Sequence, residues 1–137
     1  MTARLLRIPQ LLAVAMWPQV ERDIVAAMSV SKEDTVESLK AELLTGAAQL
    51  WIATIDGMYV GVVITEIQGY SQKKVLEVRY LAGERLREWI HLQSVLDEWA
   101  AENGCVALRL SGRKGWLRFL GPRGWRAAAY QMERAVV

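Results

Sequence analysis

The chain has 137 residues, of which 53% are hydrophobic and 23% charged, and its formal net charge is +2. A chain of this length and apolar content can bury a substantial core, which excludes a disordered protein and favours a single domain over residues 1–137. The small net charge gives no support by itself to nucleic-acid binding.

The cysteine count and the hydropathy pattern predict where the protein is found. Cys105 is the only cysteine, so the chain cannot form an internal disulfide, as expected in a reducing compartment. No apolar run approaches the ~18 residues that a membrane-spanning helix needs. Residues 4–16 resemble a signal peptide faintly, but Pro9 and Gln10 interrupt the short apolar stretch. We therefore expect a cytoplasmic protein that is not secreted and does not bind a membrane.

The first third of the chain predicts a strand followed by two helices. Ala3–Ile8 has the composition of a short strand, and residues 18–28 place apolar side chains at helical spacing. Asp34 and Glu37 form a capping-box pattern at the start of the second helix, and Gly46 is its expected stop.

The middle of the chain predicts antiparallel strands. Residues 50–55 and 58–67 are rich in β-branched and aromatic residues, and Asp56 and Gly57 between them are a strong hairpin signal. Residues 75–81 form a third strand in which apolar and charged side chains alternate. Glu77 and Arg79 are expected on one face of that strand, and three residues on the other: Leu76, Val78 and Tyr80.

The second half of the chain predicts a parallel crossover. Residues 84–103 carry a broad apolar stripe and form one long helix, after which residues 105–110 return as a strand. Lys114–Leu120 is expected to be a short helix and residues 125–136 a last strand. The order β-α-α-β-β-β-α-β-α-β predicts an α/β (α+β) fold, a mixed sheet with helices on both faces.

This order of elements resembles that of the GNAT family of N-acetyltransferases, over residues 3–136. Gly124 and Trp125 before the last strand are similar to a Gly-Phe pair of the family. The runs QLW (residues 49–51) and GRKGW (residues 112–116) are similar to short GNAT-like proteins encoded by bacteriophages. The resemblance implies a GNAT-like acyl-CoA N-acyltransferase fold, acetyl-CoA as cosubstrate and an amine of unknown identity as acceptor. The sequence has no cluster of metal-ligating residues, so no metal is expected.

A candidate cofactor-binding turn leads into the long helix. Helix N-termini present free N–H groups and a positive dipole end, which attract anions. The resemblance implies that the pyrophosphate of acetyl-CoA binds at Leu81, Ala82, Gly83, Arg85 and Arg87. The alternative is that Gly83 is only a turn residue and that the arginines lie on a solvated helix face.

The same turn departs from the family's phosphate-loop pattern. Counted from Arg79, Ala82 stands where the first Gly is expected, and Glu84 stands where a second small residue is expected. The carboxylate of Glu84 would repel a bound diphosphate, so part of the anion site would be filled by the protein's own charge.

The chemistry of amine acylation needs a base and an acid. Glu77 is our first candidate base and Glu66 the second, and the alternative for each is an exposed strand carboxylate. The only histidine, His91, is expected on the helix surface. The resemblance implies a Tyr acid where this chain has Leu120, which cannot donate a proton, so Tyr130 is the remaining candidate acid.

A basic segment follows the long helix. Between Asn103 and Met132 there are six cations and two tryptophans but no acidic residue. Three interpretations are open: a structural or partner-binding surface, a site for CoA or another anionic ligand, and, least favoured, a nucleic-acid surface.

Two functions of different classes follow from the resemblance. The first is an enzyme that transfers an acetyl group from acetyl-CoA to an amine. The second is a GNAT-fold protein without activity that serves as a binding or virion-associated component with a protein partner. The strand–turn–helix order favours the enzyme, whereas Glu84 and Leu120 favour the inactive protein.

Overall fold

The computed structural model describes residues 1–112 and 114–136 and contains a five-stranded mixed sheet. Its strands lie in the order β1-β2-β3-β4-β5, with antiparallel pairing from β1 to β4 and parallel pairing of β5 with β4. The predicted mixed α/β fold and its parallel crossover are therefore confirmed. The strands are β1 (Ala3–Ile8), β2 (Gln49–Ile55), β3 (Met58–Gly69), β4 (Lys74–Gly83) and β5 (Leu108–Leu110).

Helices cover both faces of the sheet. They are α1 (Gln10–Ala13), α2 (Trp17–Ser31), α3 (Val36–Thr45), α4 (Leu86–Trp89), α5 (Gln93–Glu102) and α6 (Lys114–Leu120). The first three enclose a core that includes Trp17 and Leu39. On the opposite face α4 and α5 enclose Trp51, Trp89 and Leu96. Among the residues that the structure describes, no helix is long and apolar enough to cross a membrane.

The predicted helix over residues 84–103 is wrong in its first half. Arg85 adopts a left-handed conformation with φ of 56°, so α4 begins only after it. Trp89 ends α4 with φ of −129°, and a 3-10 turn, Ile90–Leu92, separates α4 from α5. The buried Trp89 indole donates a hydrogen bond of 2.9 Å to the carbonyl of Glu84, and this contact stabilises the interruption between α4 and α5. The continuous apolar stripe in the sequence gives no sign of this interruption.

The predicted capping pair of α3 is displaced by one residue. Thr35 accepts a hydrogen bond from the backbone N–H of Ser38, and the Ser38 hydroxyl accepts one from the backbone N–H of Thr35. Asp34 and Glu37 do not form the cap. The predicted stop at Gly46 is confirmed, because this residue ends α3 in the left-handed region with φ of 83°.

A β-bulge at Arg79 changes which side chains share a face of β4. Thr65 of β3 pairs with Val78, and the preceding Ile64 pairs with Tyr80, so Arg79 is the extra residue. After the bulge, the side chains of β4 point to the face of the sheet opposite to the one that simple alternation from Val78 would give. The prediction that Tyr80 shares a face with Leu76 and Val78 is therefore wrong: Tyr80 packs on the side of α2 and α3, with the first core.

The predicted last strand is also wrong. Residues 125–136, all of which the structure describes, form neither helix nor strand. A strand needs a neighbour to pair its backbone groups, and this segment has none within the described chain. Trp125 is half-buried, and its indole donates a hydrogen bond of 2.8 Å to the side chain of Gln93. Residues 126–136 are exposed.

Candidate functional site

A cleft lies beside β4 beyond the point where β5 ends. Their pairing covers three positions and ends with Val78 opposite Leu110, whereas β4 continues to Gly83. The opening has a volume of about 670 Å³. Its walls come from α2, β4, the start of α4, the end of β5 and α6, and include Ala27, Val30, Ser31, Val78, Arg79, Tyr80, Leu81, Leu86, Leu110, Ser111, Gly112, Gly115, Trp116 and Phe119.

The open edge of β4 directs a backbone N–H group toward this cleft. Backbone N–H groups alternate between the two edges of a strand. The N–H of Glu84 donates to the Val60 carbonyl of β3 at 2.7 Å. Leu81 lies three residues earlier, so its N–H points to the opposite edge, which β5 no longer covers. Leu81 also lines the cleft.

Charged side chains surround the bulge residue Arg79 at the cleft wall. Its guanidinium lies 2.8 Å from Asp34 and 3.2 Å from Glu66, and it also pairs with Glu42 of α3. Burial alone would lower the pKa of Arg79, but the hydrogen bonds and charges of Asp34 and Glu42 outweigh it and raise that pKa. Arg79 is therefore a fixed cation that joins β3, β4 and the loop before α3.

Tyr80 and Asp34 form a second contact in the same wall. The Tyr80 hydroxyl donates a hydrogen bond to the carboxylate that Arg79 also contacts. Burial, followed by the hydrogen bond and charge of Asp34, raises the pKa of Tyr80 to about 12. Burial would raise the pKa of Asp34 as well, but the hydrogen bonds from Tyr80 and Arg79 and the Arg79 charge lower it overall. At neutral pH Tyr80 is a neutral donor and Asp34 an anion.

The candidate bases lie beside this wall rather than in it. Glu77 is half-buried and is not among the described residues that line the cleft. It pairs in register with Glu66 on β3 and with Arg109 on β5. Burial raises the pKa of Glu77, the Arg109 charge opposes this and the Glu66 charge adds to it, with a net increase. A carboxylate with a raised pKa is a better proton acceptor near neutral pH.

The predicted phosphate-binding turn makes its contacts within the protein. A Cβ atom added at Gly83 would lie 2.3 Å from the Val60 carbonyl, so the close approach that Gly83 allows is to β3. The N–H of Glu84 is bonded to the same carbonyl, and Ala82 packs against the first core. Arg85 forms two hydrogen bonds with Glu88, of 2.5 and 2.9 Å. Of the five predicted cofactor-binding residues, Leu81 lines the cleft.

Arg87, one of the predicted cofactor-binding residues, and Arg123 both lie against the ring of Phe119 in the cleft wall. The guanidinium of Arg87 is 5.9 Å from the centre of the Phe119 ring, and that of Arg123 is 4.5 Å from it. Arg123 is held by a hydrogen bond of 2.6 Å to the Phe119 carbonyl. Phe119 lines the cleft, so its ring brings two cations from separate elements to one side of the opening.

His91, Leu120 and Tyr130 are not among the described residues that line the cleft. Tyr130 is 76% exposed and His91 is exposed. Leu120 is buried. In the described part of the chain no three His, Cys, Asp or Glu side chains are grouped as a metal site.

Sequence reasoning missed the roles of Asp34 and Phe119 in the walls of the cleft. Asp34 meets Tyr80 across 46 residues, and no local pattern marks such a contact. Phe119 is the only phenylalanine of the chain, but its place between two arginines depends on how α6 packs.

The fold is similar to those of solved acetyltransferases, although no family model and no curated protein matches the sequence. An aminoglycoside acetyltransferase from an uncultured soil metagenomic sample, bound to sisomicin, is 17% identical with a TM-score of 0.66, over 98% of this chain and 94% of that one. A second aminoglycoside acetyltransferase from such a sample is 13% identical with a TM-score of 0.72, over the full length of both chains.

A third similar structure comes from a named bacterium. The ribosomal-protein-alanine N-acetyltransferase of Brucella melitensis biovar Abortus 2308 is 16% identical with a TM-score of 0.67, over 99% of this chain and 100% of that one. At these identities the likeness concerns the fold. The five-stranded mixed sheet and these three matches show that the chain has the GNAT acetyltransferase fold.

Proposed function

We propose that this protein transfers an acyl group from acetyl-CoA, or a close acyl-CoA, to an amine. The observation that carries the proposal is the 670 Å³ cleft beside the part of β4 that extends beyond the end of β5. Small-molecule sites measure about 300–1,000 Å³, so an acylated pantetheine arm fits the opening. That three proteins with similar folds are acetyltransferases adds support by analogy.

Residues in and beside the cleft could contact the pantetheine chain, the thioester and the phosphates of acetyl-CoA. The apolar walls, among them Val78, Leu86 and Trp116, suit the pantetheine chain. The N–H of Leu81 is a donor for one of its amide carbonyls or for the thioester oxygen. The cations of Arg87 and Arg123 at the rim suit the phosphates.

The reaction requires one bond to form and one to break. The amine nitrogen bonds to the acyl carbon, the carbon–sulfur bond breaks, and the proton released by the amine ends on the departing sulfur. Glu77 would accept the amine proton through a water molecule, because it lies beside Val78 of the cleft wall and burial raises its pKa. Tyr80 stays protonated and directed at Asp34, which keeps that wall rigid while the substrates bind.

A second candidate function is that of a protein with this fold but without activity, acting as a binding or virion-associated component. The specific observation in its favour is the state of the predicted phosphate turn. The N–H of Glu84 is already bonded to Val60, and Arg85 is bonded to Glu88. The resemblance to short bacteriophage proteins applies to either candidate and stays a prediction.

Calorimetric titration with acetyl-CoA and with CoA distinguishes the two functions. The enzyme hypothesis predicts saturable binding that weakens at least about tenfold, or 1.4 kcal/mol, in the double variant Arg87→Ala, Arg123→Ala. Arg22→Ala, an exposed arginine of α2, is the matched control and should bind normally. Absence of binding at millimolar ligand would reject the enzyme. If the wild type binds and turns over an amine, Glu77→Gln should lose turnover while keeping its affinity.

A further inference from the structure

One wall of the cleft is formed by a segment that lies outside the sheet. This wall segment comprises α6 and residues 121–125, and two of its side chains, Trp116 and Phe119, line the cleft. Its helical hydrogen bonds and the bond from Arg123 to the Phe119 carbonyl stay within the segment. The place of this wall beside β4 therefore depends on contacts with other elements.

Gln93, the first residue of α5, makes two hydrogen bonds to the wall segment. Its side-chain Oε1 accepts a bond of 2.8 Å from the Trp125 indole, and its Nε2 donates one of 3.0 Å to the backbone carbonyl of Arg123. Over residues 1–112 and 126–136, no other group hydrogen-bonds to the segment. The hydrogen-bonded link between this wall and the rest of the described chain therefore passes through one side-chain amide.

The two partners of Gln93 require a side chain that can both accept and donate. An indole N–H is a donor only, and a backbone carbonyl is an acceptor only. A carboxylate at this position would accept from the indole but could not donate to the carbonyl, and an ammonium group would donate but could not accept. An amide satisfies both partners at once, so the pair of bonds depends on the chemistry of Gln93 and not on its size alone.

The bond from Gln93 to Arg123 also determines where a cation and an aromatic ring lie. The Arg123 guanidinium donates a hydrogen bond of 2.6 Å to the Phe119 carbonyl and lies 4.5 Å from the centre of the Phe119 ring. Gln93 holds the backbone of the same arginine. A shift of that backbone would move the cation and would remove its contact with a side chain of the cleft wall.

We propose that Gln93 is a positioning residue for acyl-CoA binding, an inference that rests on the function proposed above. It holds Arg123 and the wall segment against α5, so that the cation and the side chains of Trp116 and Phe119 are in place before the ligand arrives. Groups that are held in advance lose less conformational entropy when they bind. Gln93 is not among the described residues that line the cleft, so it acts through the wall and not by touching the ligand.

The first test needs no ligand. Hydrogen exchange of the full-length chain, followed by mass spectrometry, compares the wild type with Gln93→Met, whose side chain is of similar length but has neither hydrogen-bonding group. We expect exchange in peptides that cover residues 114–125 to become at least about tenfold faster, while peptides from β2 and β3 stay unchanged. Gln19→Met changes an exposed glutamine of α2 and is the matched control, which should exchange like the wild type. Equal exchange of this segment in the wild type and in Gln93→Met would overturn the proposal.

The second test is a double-mutant cycle on the affinity for acetyl-CoA, measured by calorimetry. Gln93→Met should raise the dissociation constant at least about fivefold. Because Gln93 acts through Arg123, Arg123→Ala should weaken binding in the wild type but have little further effect in Gln93→Met. A purely structural role would leave the two effects independent. Effects that multiply in the double variant would therefore show that Gln93 does not position Arg123, and would reject the proposal.

The two tests separate this proposal from the function on which it rests. A wild type that does not bind acetyl-CoA at millimolar concentration rejects the function and, with it, the role of Gln93 in binding. A wild type that binds acetyl-CoA, together with an unchanged affinity in Gln93→Met, rejects the positioning role alone. Faster exchange of residues 114–125, weaker binding and a non-additive cycle together support it.

Discussion

The guanidinium of Arg79 lies 2.8 Å from a carboxylate oxygen of Asp34, a residue 45 positions earlier in the chain. This contact joins the bulge of β4 to the loop before α3. Because Tyr80 bonds to the same carboxylate, two consecutive residues of the cleft wall depend on one distant side chain. The shape of the wall is thus set by an ion pair as well as by apolar packing.

Loss of the Arg79 charge should destabilise the fold strongly. In Arg79→Met the carboxylates of Asp34, Glu42 and Glu66 lose their shared cation, whose side chain is only 14% exposed. Removing one partner of a buried ion pair costs about 3 kcal/mol, to be measured by urea denaturation. Arg85→Met breaks an exposed pair and should leave the midpoint close to that of the wild type. Equal midpoints for Arg79→Met and the wild type would contradict the assigned role.

The stability conferred by Asp34 should vary with pH in one direction. Its pKa is lower in the folded protein than the ordinary value of 3.8, so its charge stabilises the fold above that value and the benefit disappears as the pH falls through the folded pKa. Asp34→Asn should be less stable than the wild type at neutral pH, and the difference in free energy of unfolding should shrink below 3.8. A difference that stays constant down to acid unfolding would show that the carboxylate charge is not responsible.

Gly61 should tolerate no side chain. A Cβ atom at this position would lie 2.4 Å from the Trp89 ring and 3.0 Å from the carbonyl of Ala82. Gly61→Ala therefore overpacks the contact that positions α4, with an expected loss of about 1–3 kcal/mol. Gly69→Ala is the control, because its Cβ would meet nothing within 4 Å. Comparison of the two melting curves checks the prediction, and similar curves would contradict it.

A bulky residue in the wall should close the cleft without unfolding the protein. Val30 of α2 lines the opening and is 61% exposed, so Val30→Trp adds volume from the solvent side. We expect the dissociation constant for acetyl-CoA to rise at least about tenfold. Val25→Trp changes an exposed valine of the same helix that is not among the described lining residues, and its affinity should be unchanged. Equal affinities for the two variants would show that acetyl-CoA binds outside this cleft.

Local sequence signals predicted most of the sheet. Residues 50–55 and 58–67 with their Asp56-Gly57 turn correspond to β2 and β3, because hairpin signals depend on neighbouring residues. The bulge at Arg79 could not be predicted in this way. It depends on how β3 and β4 pair, and alternation read along one strand cannot show an extra residue in the ladder.

The candidate site was predicted less completely than the fold. Leu81 was found because a strand leading into a helix is visible in the sequence. The contacts of Arg79 with Asp34 and of Phe119 with Arg87 join distant residues, and no spacing rule indicates them. The strand predicted over residues 125–136 does not form, because a short alternation of side chains does not supply a neighbouring strand to pair with.

The position of Trp116 gives the protein an optical signal of its own. Trp116 is the only tryptophan among the described residues that line the cleft, and it is half-buried there. Trp17, Trp51 and Trp89 are 1–2% exposed, so soluble quenchers should reach them poorly. Trp99 and Trp125 are half-buried but are not among the described residues that line the cleft, so their quenching should be the same with and without ligand. Ligand in the cleft should shield Trp116 from acrylamide, and Trp116→Phe should abolish that protection. Fluorescence quenching of the unlabelled chain can therefore report whether the cleft is occupied, whatever ligand proves to fill it.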